Sequence, residues 1–247
     1  ATEVDESGTT DTFTVVLDAE PATDVVLTVT SDDTSEATVN SPLTFTPANW
    51  DTPQTVTVTG ADDDLVDGTI TSTVTVAVDD VNSSDGFDSL IDQIVSVDTT
   101  DDDVAGFTIV ELDGSTEVDE AGSTDTFTVV LDAQPTSDVV MSTASNDTSE
   151  ATTTNTLTFT PSNWDTPQTV TVTGIDDNII DGTVTSSVVI SIIDANSDDD
   201  FDAIADQTVS VDTADNDAPG FTIEETDAAT EVDESGSTDT FTVVLDA

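Results

Sequence analysis

The sequence predicts an all-β chain built of tandem antiparallel β-sandwich domains, about seven strands each, and three observations carry that expectation. Val, Ile, Leu and Phe alternate with Thr in short runs, Gly, Pro, Asn and Asp separate those runs, and the whole pattern returns after 114 residues. Alternation marks a half-buried strand, because successive side chains point to opposite faces. No stretch carries helical periodicity over three turns.

The repeat sets the organisation. Glu3, Glu117 and Glu231 stand in register, as do Phe13, Phe127 and Phe241, and Trp50 and Trp164. About 73 of the 114 positions in residues 1–114 are identical in 115–228. A constant period of this length belongs to an array of stacked domains. Gly106-Phe107-Thr108-Ile109 follows an Asp-rich linker and recurs as Gly220-Phe221-Thr222-Ile223, so it marks where each domain starts. Three segments are therefore expected: 1–105, a repeat without its first strand; 106–219, a complete repeat; and 220–247, the first two strands of a further one. Two strands are too few to fold alone, and the chain is expected to continue in both directions.

Within the complete repeat, strands are expected at 107–110, 125–131, 139–143, 157–160, 169–173, 183–193 and 208–212. Phe127, Val129 and Leu131 share one face, with Thr126 and Thr128 opposite; Val170 and Val172 alternate with Thr169, Thr171 and Thr173. Thr on the wet face keeps β propensity without adding charge. Seven short strands with turn signals between them fit a two-sheet sandwich. Trp50 and Trp164, each in a Pro-x-Asn-Trp-Asp-Thr-Pro turn, are expected to close an end of the core rather than to stack on sugar.

Composition narrows the function. The chain holds 55 Asp and Glu against no Lys, Arg or His, a formal charge of -55. Nucleic acid and anionic membrane surfaces are bound through basic groups, so neither is expected as a partner. Without cysteine there are no disulfides, thiolate metal sites or thiol nucleophiles. No apolar run approaches the roughly 18 residues of a membrane span. Trypsin would find no site. The acids themselves fit either a solvated surface suited to high salt or carboxylates gathered for divalent cations.

Their positions favour gathering. In the complete repeat they fall in four segments: Glu120; Asp147; Asp176, Asp177 and Asp181; and Asp215 with Asp217. If alternate turns of a sandwich share a pole, all four meet there. Calcium takes six to eight oxygen ligands, and such carboxylates would repel one another without a cation. Glu6, Asp33, Asp62, Asp63, Asp67 and Asp101–Asp103 repeat the pattern in the first unit, and Glu234 opens it in the third.

Ile175-Asp176-Asp177-Asn178-Ile179-Ile180-Asp181, the upstream Asn146-Asp147-Thr148, Leu157-Thr158-Phe159-Thr160-Pro161 and Asp101-Asp102-Asp103-Val104-Ala105-Gly106 together resemble the Calx-β motif. The sequence is also similar to the long Ig-like repeats of bacterial adhesins. The Calx-β resemblance implies Ca2+ ligands at Glu120, Asp147, Asp177, Asp181, Asp215 and Asp217, with the carbonyl of Ile179. Its counterpart in the first unit is Glu6, Asp33, Asp63, Asp67, Asp101 and Asp103, with the carbonyl of Leu65. Asp67 and Asp181 stand where that family usually has Glu, and Asn216 stands for the middle Asp of the terminal triplet.

These readings point to an extracellular, cell-surface structural or adhesive array, a stalk, adhesin shaft or filament, stiffened by calcium at domain poles and junctions. Neighbouring repeats, and identical chains in a filament, are the partners expected beside calcium ions. A calcium-responsive binding module and an acidic repeat without specific metal sites are the alternatives. No enzyme is expected, since the same acids recur in every unit and no Arg, His or Tyr is present to bind substrate. Asp198, Asp199, Asp200 and Asp202 are read as a solvated acidic loop, and Asn82-Ser83-Ser84 as a chance glycosylation match.

Overall fold

A computed structural model describes residues 2–154, 156–226 and 229–246. The chain divides into two compact units, residues 1–105 with 133–136 and residues 106–132 with 137–247. Each is built from strands, joined by short 3-10 turns at Asp80–Asn82 in the first and at Asp194–Asn196 and Asp199–Phe201 in the second.

The first unit contains β1 (Thr2–Asp5), β2 (Thr10–Val15), β3 (Val25–Ser31), β4 (Ala37–Val39), β5 (Leu43–Phe45), β6 (Gln54–Gly60), β7 (Ile70–Val78) and β8 (Gln93–Thr100). One sheet has the order β1-β8-β7-β3-β5 and the other β2-β6-β4. Val25, Val29, Phe45 and Val97 from the first sheet and Val56 and Val58 from the second form one buried cluster, with Trp50 packed against it. The Trp therefore sits at the core, as its turn position suggests.

The second unit contains β9 (Phe107–Glu111), β10 (Thr116–Asp119), β11 (Thr124–Leu131), β12 (Val139–Ser145), β13 (Ala151–Thr153), β14 (Thr156–Phe159), β15 (Gln168–Gly174), β16 (Val184–Ile192) and β17 (Gln207–Ala214). Its sheets run β10-β17-β16-β12-β14 and β13-β15-β11-β9. Phe127, Val129, Phe159, Val170, Val172, Val188 and Ile190 are fully buried. They are the apolar members of the alternating runs, so the period-2 pattern sets which face each strand buries. Beyond β17 lie β18 (Gly220–Glu225) and β19 (Phe241–Asp246), paired antiparallel with each other.

The all-β sandwich agrees with the sequence, with two additions. β10 and β13 have no counterpart among the seven expected strands, being only four and three residues long, too short for alternation to register. The pairing is also not wholly antiparallel. β10 lies parallel to β17, from Thr116 opposite Val211 to Asp119 opposite Ala214, and β1 lies parallel to β8 in the same register. An antiparallel partner would send the two chain ends to opposite poles. A parallel one delivers Glu120 and Asp215, the next residue of each strand, to the same pole.

Glycine fixes the third strand at that pole. A Cβ placed on Gly174 would lie 2.0 Å from the carbonyl oxygen of Asp119, and one on Gly60 would lie 2.1 Å from that of Asp5. Only a residue without a side chain lets β15 or β6 end against the backbone that leads into Glu120 or Glu6.

Candidate metal centre

Four chain segments meet at one pole of each unit, and each is tied there by backbone hydrogen bonds. Glu6 continues the parallel ladder, its N–H donating to Thr100 O at 3.1 Å; Glu120 does the same to Ala214 O at 3.1 Å. The loop after β6 is held to the segment before β4 by Ala61 N–H donating to Glu36 O at 2.8 Å, and Ile175 N–H repeats this to Glu150 O at 2.8 Å. Asp101 ties the segment after β8 to the same loop: its Oδ2 accepts from Asp67 N at 3.1 Å and Gly68 N at 2.9 Å, and its Oδ1 from Asp103 N at 2.7 Å. Asp215 accepts from Asp181 N, Gly182 N and Asp217 N at 3.1, 2.8 and 2.7 Å. Gly68 and Gly182 adopt φ of 75° and 76°, the left-handed conformation that turns their N–H groups onto these carboxylates.

The result is a convergence of carboxylate oxygens. One oxygen from each of Glu6, Asp63 and Asp103 lies within 4.8 Å of the others; in the second unit the oxygens that meet are those of Glu120, Asp217 and Asp215, the last being the counterpart of Asp101 rather than of Asp63. Glu6 and Glu120 are 0% and 1% exposed. Neither oxygen of Glu6 has a hydrogen-bond partner among the described residues, and Asp103 Oδ2 and Asp217 Oδ2 are likewise buried without one. A buried carboxylate with nothing donating to it costs free energy unless it is protonated or meets a cation. No side chain of this chain can supply a positive charge, so the oxygens fit a hard divalent ion, which prefers carboxylate and carbonyl oxygen.

Electrostatics report the same crowding. Burial, followed by the charges of Glu36, Asp63, Asp101 and Asp67, pushes the Glu6 carboxyl up to about 8. Asp103 and Asp217 are also raised, first by burial and then by Asp101 and Asp215 respectively. Glu120 differs in degree. Asn216 N–H donates to its Oε2 at 3.1 Å and is the strongest single influence, downward, yet burial and the charges of Asp215, Asp177 and Asp181 together leave it raised. Hydrogen bonds from Gly182 and Asp217 N–H hold Asp215 below the usual range.

The pole brings together most of the acids expected there, in distinct roles. Asp63 and Asp177 each accept the N–H two residues on, from Leu65 and Ile179, at 2.8 and 2.7 Å; these bonds curve the loop, and Ile179 is 60% exposed. Asp67 and Asp181 contribute their charges to Glu6 and Glu120. Asp33 and Asp147 are engaged in turns: Oδ1 of each accepts from the backbone and hydroxyl of Ser35 or Ser149, and the hydroxyl bond lowers the carboxyl pKa.

Two acids absent from the sequence reading belong to the pole. Glu36 and Glu150 are each 5% exposed, with Oε2 buried and unpartnered. Both are raised by burial first, then by the Asp67, Asp33 and Asp63 charges for Glu36 and those of Asp181, Asp147 and Asp177 for Glu150. Glu6 and Glu36 interact directly, and two carboxyl groups can hydrogen-bond to one another only when one of them carries a proton. The repeated Asp-Thr-Ser-Glu at 33–36 and 147–150 was the available signal, since a Glu directly before the buried Ala37 or Ala151 sits at a strand entrance.

In the loop of Asp198–Asp202, Asp199 and Asp200 are exposed as a solvated loop requires and Asp202 is half-buried, but Asp198 departs from that reading. Asp198 is 4% exposed; its Oδ2 accepts from Ser137 N at 2.7 Å and its Oδ1 from Asp200 N at 3.2 Å. It caps the turn that inserts the fully buried Phe201. Burial of an anchoring Phe beside it explains why this Asp leaves solvent.

No family model matches the chain, and neither does any curated protein. Among solved structures it is similar to domains 4 and 5 of the S-layer protein SbsC, at 16% identity over 76% of this chain and 70% of that one, with a TM-score of 0.36. It is similar to the calcium binding domain CBD12 of CALX1.1 at 18% identity over 77% and 76%, TM-score 0.32, and to the D00-D0 domain of Intimin at 12% identity over 86% and 95%, TM-score 0.30. Likenesses this distant leave the function to be argued from the chain's own residues.

Proposed function

We propose that the chain is part of an extracellular, cell-surface structural array whose sandwich domains bind calcium at the pole formed by Glu6, Asp63 and Asp103 in the first unit and Glu120, Asp215 and Asp217 in the second. Asp67, Asp101, Asp177 and Asp181, with Asp33, Asp147 and the carbonyls of Leu65 and Ile179, complete the candidate ligand set; Glu36 and Glu150 join it. The observation that carries the reading is Glu6: a fully buried carboxylate with no donor to either oxygen, among other carboxylates, in a chain without Lys, Arg or His. Calcium bound there would join the ends of β1, β6 and β8 and the loop before β4. Repetition would supply reach, and the ion would turn four repelling loops into one rigid pole. The names of the S-layer and calcium-binding structures above are consistent with this reading and add no weight to it.

Thermal unfolding of the whole chain across a calcium titration, with magnesium and monovalent salt as controls, tests it. A ligand that binds only the folded state stabilises it by about 2.7 kcal/mol at a hundredfold excess over Kd. A calcium-selective rise in Tm that is lost when Asp63→Asn and Asp177→Asn are combined supports the proposal. An equal response to every salt would assign the acids to surface solvation alone.

A further inference from the structure

The two poles share a hydrogen-bond frame and differ in charge. Asp101 and Asp215 accept the same three backbone N–H groups, and Asp63 and Asp177 make the same turn. Within that frame three acids of the first pole are amides in the second. Asp32, after β3, becomes Asn146 after β12; Asp64, after β6, becomes Asn178 after β15; and Asp102, after β8, becomes Asn216 after β17. All the Asp-to-Asn exchanges between residues 1–105 and 115–219 fall in these segments. The exchange keeps the side chain's size and its accepting oxygen: Asp32 Oδ1 accepts Thr73 N–H at 2.6 Å, and Asn146 Oδ1 accepts Ser187 N–H at 2.8 Å. What changes from one unit to the next is charge at nearly constant shape.

Asn216 shows what the charge does. Its N–H donates to Glu120 Oε2 at 3.1 Å and its side-chain amide to Asp176 Oδ1 at 3.4 Å. Asp102 has no side-chain amide to offer Asp62, and the fully buried Glu6 has no donor to either oxygen among the described residues. The second pole therefore meets part of its negative charge with its own N–H groups, and the first leaves more of it to a cation. We infer that the two poles are calcium sites of graded affinity, the first the tighter, and that Asp32, Asp64 and Asp102, with their counterparts Asn146, Asn178 and Asn216, set the grade. The inference rests on the calcium reading above. Calcium sites built from oxygen ligands are tuned by the charge of those ligands. Asp32, Asp64 and Asp102 are exposed, so they act on the ion as charges across solvent, open to screening by salt. An array of this kind fills one repeat before the next as calcium rises. The first unit also depends on calcium more for its fold, because more carboxylates repel one another there without the ion.

Isothermal calcium titration of the whole chain tests this with two reciprocal triple variants, at about 0.05 M ionic strength, where the Debye length is longer than about 10 Å. Asp32→Asn, Asp64→Asn and Asp102→Asn together should weaken the tighter class of sites on the order of tenfold or more and leave the weaker class unmoved. Asn146→Asp, Asn178→Asp and Asn216→Asp together should tighten the weaker class by a similar factor. Each site is compared with itself, so other differences between the units drop out. Raising the salt to about 0.5 M should shrink both effects, which the loss of a packing contact would not do. If the first variant fails to fold, the second still discriminates, since damage to the fold cannot tighten a site. Variants that bind calcium as the parent does overturn the grading and leave the poles as calcium sites. A first-unit variant that moves the weaker class reverses the order and overturns the grading as well. A parent chain that takes up no calcium overturns the calcium reading itself, and the grading with it.

Discussion

Asp215 Oδ2 accepts the backbone N–H of Gly182 at 2.8 Å, which ties the end of β17 to the loop that follows β15. The same carboxylate also takes Asp181 N–H and, through Oδ1, Asp217 N–H. One side chain thus sets the positions of two neighbouring acids. Asp215→Asn offers one accepting oxygen instead of two and cannot satisfy all three donors. Calcium affinity of the second unit should fall about 10–100-fold, the usual range when a group that orients metal ligands is lost. Isothermal titration of the variant against the parent checks this, with the first unit's site as the internal control.

Acidity should act on the metal-free chain in the opposite sense to its effect on calcium binding. The carboxyl of Glu6 moves from 4.5 in the unfolded chain to about 8 in the fold, so the folded state binds the proton more tightly. Its contribution to stability is present in full below 4.5, declines as pH rises, and is gone above about 8. Metal-free Tm should therefore fall between pH 5 and pH 8. Calcium must displace that proton, so its affinity should rise over the same window. Titrations at pH 6 and pH 8 in buffers of different ionisation enthalpy would detect the released proton. No release at pH 6 would mean that Glu6 is ionised in the metal-free fold.

Glu36→Gln and Glu150→Gln should separate folding from binding. Each removes a buried charge from a repelling group, so metal-free Tm should rise, on the order of 4 °C. Each also removes a carboxylate from the pole, so calcium should stabilise the variant less than the parent. Paired thermal scans with chelator and with calcium would show the two effects crossing. A Tm that falls in chelator would instead assign these residues a hydrogen-bonding role in the fold.

Gly174→Ala should damage the pole without touching an acid. Its Cβ would meet the Asp119 carbonyl oxygen at 2.0 Å, and backbone cannot yield as a flexible side chain can. Overpacking of this kind costs about 1–3 kcal/mol or more. Urea unfolding should show a lower midpoint with an unchanged slope, and calcium affinity should drop because Glu120 follows Asp119 directly. Gly8→Ala is a poor control, since its φ of 89° brings strain of its own; Thr57→Ala, on the half-buried Thr face of β6, is a better one.

Much of the fold was legible because strand alternation and the 114-residue period are properties of neighbouring residues along the chain. Phe127, Val129 and Leu131 are buried as their spacing requires, and Trp50 sits against the core. β10 was not legible, since Thr-Glu-Val-Asp is only one alternation long and carries two charges. Asp198 was misread for a related reason: four acids in five residues look solvated, and the donors from Ser137 lie 61 positions away.

Sequence by itself determined the charge that only cations from outside the chain can offset, the class of fold, the repeat and the identity of most acids at the pole. It did so because composition and periodicity are local. Tertiary structure alone decided that the acids converge, since convergence depends on β1 and β10 running parallel to β8 and β17, a pairing across nearly a hundred residues. It also decided that Glu36 and Glu150 face inward. Burial and the direction of a side chain arise only when separate segments pack, and those two quantities turn a run of carboxylates into a site.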